Sequence, residues 1–214
     1  MQALIVTGGE SPPAEIMVKL AKKADIVIAA DSGFDAALAA GLSPDLVVGD
    51  FDSLADRSAL SAFPRDKVIE YSADKDDTDT EIAINEALKR GADQIIVAGG
   101  GGGRLDHLIA MTNLFARGNV PRAWHTRNES VFFLDKGRTA GFALYEDAVV
   151  SVFPASAEES RGMASSGLRW PLAGLSWEKG YFGVSNRSVG DRAEISAGTC
   201  PLLVVVPIGC ERLF

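Results

Sequence analysis

Apolar and polar positions change their rhythm once along the chain. In the first half, apolar runs at residues 3–7, 25–30, 45–48, 67–71 and 94–98 alternate with stretches of helical period at 13–23, 34–40, 78–90 and 106–117. The runs lack strict alternation, which predicts strands buried on both faces, as in a parallel sheet covered by helices. Pro13 stands early in the first helical turn, and Gly41, Gly91 and Gly118 stand just past the other three helices, where left-handed stops are expected. From residue 121 onward the segments shorten. Residues 122–126, 130–134, 148–153, 193–196 and 201–206 are β-branched or aromatic, punctuated by Gly, Pro, Ser and Asn, with no helical stretch between them. Such spacing predicts a small antiparallel sandwich or barrel. The fold class is α/β: a Rossmann-like layered domain with a mainly parallel sheet over residues 1–120, then a small antiparallel β domain over 121–214.

Composition narrows the class. Hydrophobic residues make up 47% of the 214 positions and charged residues 23%, which excludes a disordered chain. No apolar run approaches the roughly 18–20 residues that span a bilayer, so no membrane partner is expected. The opening Met1-Gln2-Ala3-Leu4-Ile5-Val6-Thr7 lacks a basic region and a small-residue cleavage site, and reads as a first strand rather than an export signal. Two cysteines, Cys200 and Cys210, form neither a disulfide framework nor a metal set, which points to a reducing, cytoplasmic setting.

Charge is informative once located. The net charge is −8, but residues 31–81 alone hold 13 acidic and 4 basic side chains, leaving 16 and 17 for the rest of the chain. An acidic surface repels phosphate backbones, so no nucleic-acid partner is expected. A solvated acidic face is the plain reading of such a stretch. Here, however, the acids fall at the ends of predicted strands. The first strand ends in Thr7-Gly8-Gly9, the second in Asp31-Ser32-Gly33, and the third in Gly49-Asp50-Phe51-Asp52-Ser53. The fourth leads into Asp74-Lys75-Asp76-Asp77-Thr78-Asp79, and the fifth into five glycines followed by Arg104-Leu105-Asp106-His107. Ligands of open parallel sheets bind beyond the carboxyl ends of the strands. Carboxylates converging there need a cation, and oxygen-only donors select a hard ion such as Mg²⁺. The glycine run offers backbone N–H groups to phosphate, and Arg104 a forked, charge-assisted contact. Together these suggest phosphoryl transfer from a nucleotide.

Plainer readings stand beside each motif. Asp50-Phe51-Asp52 also suits a turn, Thr78 and Glu81 a capping box, the glycines a flexible turn, and His107 a cap or packing residue. Trp170 and Trp177 suit packing in a small β domain, and His125 carries no assignment. A phosphatase with an aspartate nucleophile would use Asp50 and Asp52 but leaves the glycine run without a task. A nucleotide-sensing module without turnover would need fewer like charges.

In order along the chain, Ala30-Asp31-Ser32-Gly33, residues 44–53, residues 74–79, residues 99–107, Gly167-Leu168-Arg169-Trp170-Pro171-Leu172 and Gly183-Val184-Ser185-Asn186 resemble the thiamine pyrophosphokinases. The resemblance implies an α/β nucleotide-binding catalytic domain, a β-sandwich that binds thiamine, and a homodimer with thiamine near the subunit interface. It implies Mg²⁺-dependent conversion of ATP and thiamine to AMP and thiamine diphosphate. On the matching positions, Asp50, Asp52, Asp77 and Asp79 would be catalytic, with Asp50, Asp52 and Asp77 on the metal. Asp31, Gly99, Gly100, Gly102, Gly103, Arg104, Asp106 and His107 would hold ATP, and Trp170, Ser185 and Asn186 would line the thiamine side. Either Asp52 or Asp77 could take the hydroxyl proton. Two departures stand out: Gly101 occupies a position where Thr is common, and Asp74-Lys75-Asp76-Asp77 stands where some members have Gln-Asp.

Overall fold

A computed structural model describes the chain except residues 56, 73, 118–120, 157 and 179. The chain forms two compact units, Met1–Met111 with Trp124–Arg127, and Thr112–Ala123 with Asn128–Phe214.

The first unit runs β1 (Gln2–Thr7), α1 (Ala14–Lys23), β2 (Ile26–Ala30), α2 (Gly33–Ala39), β3 (Leu46–Gly49), α3 (Arg57–Ser61), β4 (Val68–Glu70), α4 (Asp79–Lys89), β5 (Gln94–Ala98), α5 (Leu105–Leu114) and β6 (Ala123–His125), with α5 continuing past its boundary. Strand order is β6-β5-β1-β2-β3-β4, and β5-β1-β2-β3-β4 are all parallel. The unalternating apolar runs are explained by burial: Ala3, Leu4, Ile5 and Val6 of β1 are wholly inaccessible. One cluster joins Leu4, Val6 and Val27 to Met17 of α1 and Ala37 of α2. A second joins Ala29, Phe34, Val47 and Phe51, over which Ala59 and Leu60 of α3 pack. Phe34 meets Phe63 edge to face at 5.3 Å. Gly41 (φ 74°) and Gly91 (φ 86°) take the left-handed turn expected after α2 and α4, while the stop expected at Gly118 lies outside the described residues. The short α3 has no counterpart in the sequence reading.

The second unit is β-rich: β7 (Glu129–Leu134), β8 (Thr139–Ala143), β9 (Val149–Pro154), β10 (Ser160–Arg161), β11 (Ala164–Ser166), β12 (Ser176–Trp177), β13 (Gly183–Arg187), β14 (Arg192–Ser196), β15 (Leu202–Pro207) and β16 (Glu211–Arg212). Two antiparallel layers, β13-β9-β15-β7 and β11-β14-β8-β16, are accompanied by a β10-β12 ribbon. Phe132 of β7 meets Phe142 of β8 at 5.7 Å, one contact through which the layers share a core. With Val150, Ile195, Leu202 and Val204 fully buried, this unit is a sandwich, as the resemblance implies.

Candidate functional site

The ends of β2 and β3 lie level, because Ala30 pairs with Val48. Asp31 follows β2 directly and its N–H donates to the Val48 carbonyl at 2.8 Å. Two unusual backbone conformations lie at these strand ends. Asp31 (φ 46°) and Phe51 (φ 61°) both sit in the left-handed region that L-residues avoid. Phe51, 2% exposed, is held there by its apolar cluster, and Asp50 and Asp52 flank it. One oxygen from each of Asp31, Asp50 and Asp52 lies within 4.8 Å of the others. The loop is tied by Arg57 Nη2, which donates to the Asp50 carbonyl at 3.1 Å, and by Ala55 N–H on Asp35 Oδ2 at 2.8 Å.

The three carboxylates do not share one environment. Burial pushes Asp31 above the usual carboxylate range, and the charges of Asp79, Asp50 and Asp52 add to this against one Ser32 N–H. Its Oδ1 is buried and has no hydrogen-bond partner among the described residues. Asp50 is held below the usual range, chiefly by its bond from Lys75, with the Asp52 N–H adding to it. Asp52 is exposed and accepts the Ser53 hydroxyl at 2.8 Å. An orphaned buried oxygen within an all-oxygen donor set fits a hard divalent cation.

The acidic run after β4 contributes in a way the sequence reading missed. Thr78 caps α4 with a full capping box to Glu81, as its spacing predicts. That cap puts Asp79 in the first helical turn, one turn on from Lys75. The Lys75 ammonium then reaches Asp79 Oδ1 at 3.1 Å and Asp50 Oδ2 at 3.0 Å. Asp77, expected on the metal, is exposed and stands outside the group of three, where Asp31 is found instead. Lys75 lies before the helix begins, so the helical i,i+4 rule gave no signal of its pairing with Asp79.

The glycine run is more built than a flexible turn. A Cβ on Gly99 (φ 105°) would lie 2.1 Å from the Thr7 carbonyl, so only glycine lets β5 close on β1 there. The N–H groups of Gly99, Gly100 and Gly101 donate to the carbonyls of His125, Gly8 and Glu10. Those of Gly102 and Gly103 make no backbone hydrogen bond among the described residues, and the Glu10 carboxyl group packs against Gly102. A side chain at Gly101 would press on Thr126, its Cβ 2.9 Å from that of Thr126, which accounts for the missing threonine. Arg104 does not stand open: its guanidinium forks onto Asp106 at 3.1 and 2.5 Å, both side chains being exposed. His107 is exposed and its N–H donates to Asp106 Oδ1.

In the second unit, Trp170 is 56% exposed, with the Arg169 guanidinium 5.7 Å from its ring centroid. Asn186, buried, is committed to the Trp170 backbone. Its Oδ1 accepts the N–H groups of Trp170 and Arg187 at 3.2 and 2.8 Å, and its Nδ2 donates to the Trp170 carbonyl at 2.7 Å. Ser185 sits in a bulge of β13 with φ 60°, its N–H on Ser151 Oγ. Trp177 is buried, in keeping with a packing role.

Thiamine pyrophosphokinase from Bacillus subtilis has a similar structure, with a TM-score of 0.79 over 97% of this chain and 99% of that one at 22% identity. The Geobacillus thermodenitrificans enzyme scores 0.74 at 25% identity over 97% of each chain. That from Candida albicans scores 0.76 at 18% identity, over 97% of this chain and 88% of its own. In sequence, thiamine pyrophosphokinase of Bacillus subtilis (strain 168) is 33% identical over 117 residues, 53% of this chain. The chain thereby spans about half the length of that curated relative, 54%. A family model described as thiamin pyrophosphokinase, catalytic domain, matches residues 17–123, half of the chain. The chain belongs to the thiamin pyrophosphokinase family, transferases whose activity is pyrophosphoryl transfer from ATP to thiamine.

Proposed function

We propose that this chain carries out the family reaction itself, moving the β,γ-pyrophosphoryl unit of ATP onto the thiamine hydroxyl to give thiamine diphosphate and AMP. The observation that carries the reading is the meeting of Asp31, Asp50 and Asp52 at two adjacent strand ends, one of them with an orphaned buried oxygen. These three would hold Mg²⁺, which, when bound, neutralises charge on the phosphates. Gly102 and Gly103 at the start of α5 would donate to phosphate oxygens, aided by the positive end of that helix. Arg104 would reach phosphate by exchanging Asp106 for it. Asp52, the exposed member of the cluster, or Asp77 would accept the hydroxyl proton. Such transfer rests on positioning and charge neutralisation, which suits a site of fixed backbone and converging carboxylates.

On this reading residues 1–120 bind nucleotide and catalyse, and residues 121–214 bind thiamine. The exposed face of Trp170 would stack on the pyrimidine, with the Ser185 hydroxyl beside it and Asn186 holding Trp170 in place. Exposed Tyr181, Phe182, Val184 and Val189 favour burial in a homodimer. Buried free thiols at Cys200 and Cys210 favour the cytoplasm. No helix among the described residues is long and apolar enough to cross a membrane. The deciding experiment is AMP formation from ATP with and without thiamine. AMP that requires thiamine supports the reading. Phosphate release indifferent to thiamine would replace it with a phosphatase.

A further inference from the structure

Asp50 has no idle oxygen. Oδ2 carries the Lys75 ammonium at 3.0 Å, and Oδ1 accepts the Asp52 N–H at 3.3 Å. The same ammonium holds Asp79 at 3.1 Å, and its side chain is only 15% exposed. The charges of Asp50, Asp52 and Asp79 all act on Asp31 here, and Lys75 is the cation placed between Asp50 and Asp79. Carboxylates so arranged repel one another unless a positive charge intervenes. A divalent ion entering through Asp50 meets a competitor already bound. We propose that Lys75 is the resident counter-cation of this cluster: it holds Asp50 and Asp79 while no divalent ion is present, and releases Asp50 when one enters. A lysine suits that exchange, being a compact charge on a flexible four-carbon stem that can swing away without breaking backbone contacts. Asp79, at the first turn of α4, keeps the ammonium nearby after release. Lys75 is thus a positioning residue whose presence weakens the first metal-binding step and keeps the empty site folded.

The inference rests on the reading of Asp31, Asp50 and Asp52 as metal-holding residues, and metal binding can be measured without turnover. Mn²⁺ is titrated into the nucleotide-free protein by electron paramagnetic resonance, for the wild type, Lys75→Met, Lys75→Arg and Asp50→Asn, with thermal unfolding recorded alongside. Lys75→Met should bind Mn²⁺ about tenfold more tightly than the wild type, the size expected for removing one partly buried competing charge. It should also melt lower without metal and regain the deficit when Mn²⁺ is added, because a ligand that binds only the folded state stabilises it. Lys75→Arg should stay near the wild type, since charge is what matters. Unchanged or weaker Mn²⁺ affinity in Lys75→Met, or Lys75→Arg matching Lys75→Met, overturns the proposal while leaving the metal reading intact. Mn²⁺ binding undiminished in Asp50→Asn, or absent from wild type and Lys75→Met alike, overturns both.

Discussion

Asp50 gathers more constraints than its neighbours: Lys75 on one oxygen, the Asp52 N–H on the other and Arg57 on its carbonyl. Asp52 carries fewer and faces solvent. We expect Asp50→Asn and Asp52→Asn each to lower kcat about a hundredfold or more, the scale of losing a group that stabilises developing charge. Circular dichroism should show the fold retained; near-normal turnover at saturating Mg²⁺ would remove both residues from the metal. Asn186 calls for a different test, because its amide acts on the Trp170 backbone. Trp170→Ala should raise KM for thiamine about tenfold, roughly 1.4 kcal/mol. Asn186→Ala should raise it by part of that amount, and the double variant should be no worse than Trp170→Ala alone. Additive losses would instead put Asn186 on the substrate. At this scale residue type alone singled out the acids and Trp170 as candidates, but not their grouping: Asp31, not Asp77, stands with Asp50 and Asp52. The bond from Lys75 to Asp50 was not legible, because it joins positions 25 residues apart.

Among the elements, α4 shows how a helix can be both legible and incomplete in the sequence. Its apolar spacing, its capping box and its glycine stop are local and were readable; its link to the segment after β4 is not. Glu86 of α4 is 5% exposed and accepts the Tyr71 hydroxyl at 3.0 Å and Lys89 at 2.7 Å, with Arg90 on its other oxygen. Burial alone would raise its carboxyl; the bonds from Lys89, Arg90 and Tyr71 outweigh this and bring it from 4.5 to about 2. A depressed carboxylate stabilises the fold fully above its unfolded value and ceases to as the pH falls through the folded one. Glu86→Gln should therefore lose on the order of 2 kcal/mol at neutral pH. The gap from wild type in urea unfolding should close between about pH 4.5 and 2. A gap independent of pH would mean that packing, not charge, is what Glu86 supplies. The second unit was read less completely for a related reason. β8 contains Gly141, which reads as a breaker, yet a Cβ there would come within 2.5 Å of the Phe214 ring. The glycine makes room for a partner 73 positions away. β10, β12 and β16, two residues each, are too short to carry a period.

At the scale of the molecule, the class of each unit was visible because apolar runs alternating with helical stretches, and short β-branched segments broken by turn residues, leave different rhythms. What no rhythm records is backbone held against its own preference. Among the described residues, four other than glycine adopt positive φ, Asp31, Phe51, Asp147 and Ser185, and three of them lie in stretches assigned to substrate or metal. Left-handed backbone costs an L-residue about 1–2 kcal/mol. Asp31 adds burial and the repulsion of three other carboxylates to that strain. Asn tolerates the conformation better and carries no charge. Asp31→Asn should therefore abolish activity while raising Tm by several degrees at neutral pH without divalent ions. The gain should vanish in acid, where Asp31 is itself protonated; a lower Tm at neutral pH would show that the carboxylate supports the fold after all. If the gain is found, the chain's margin of stability is set by its trade: a descendant released from this chemistry would be free to drift toward a sturdier protein, and sturdiness in a homologue would be a warning that function has been lost.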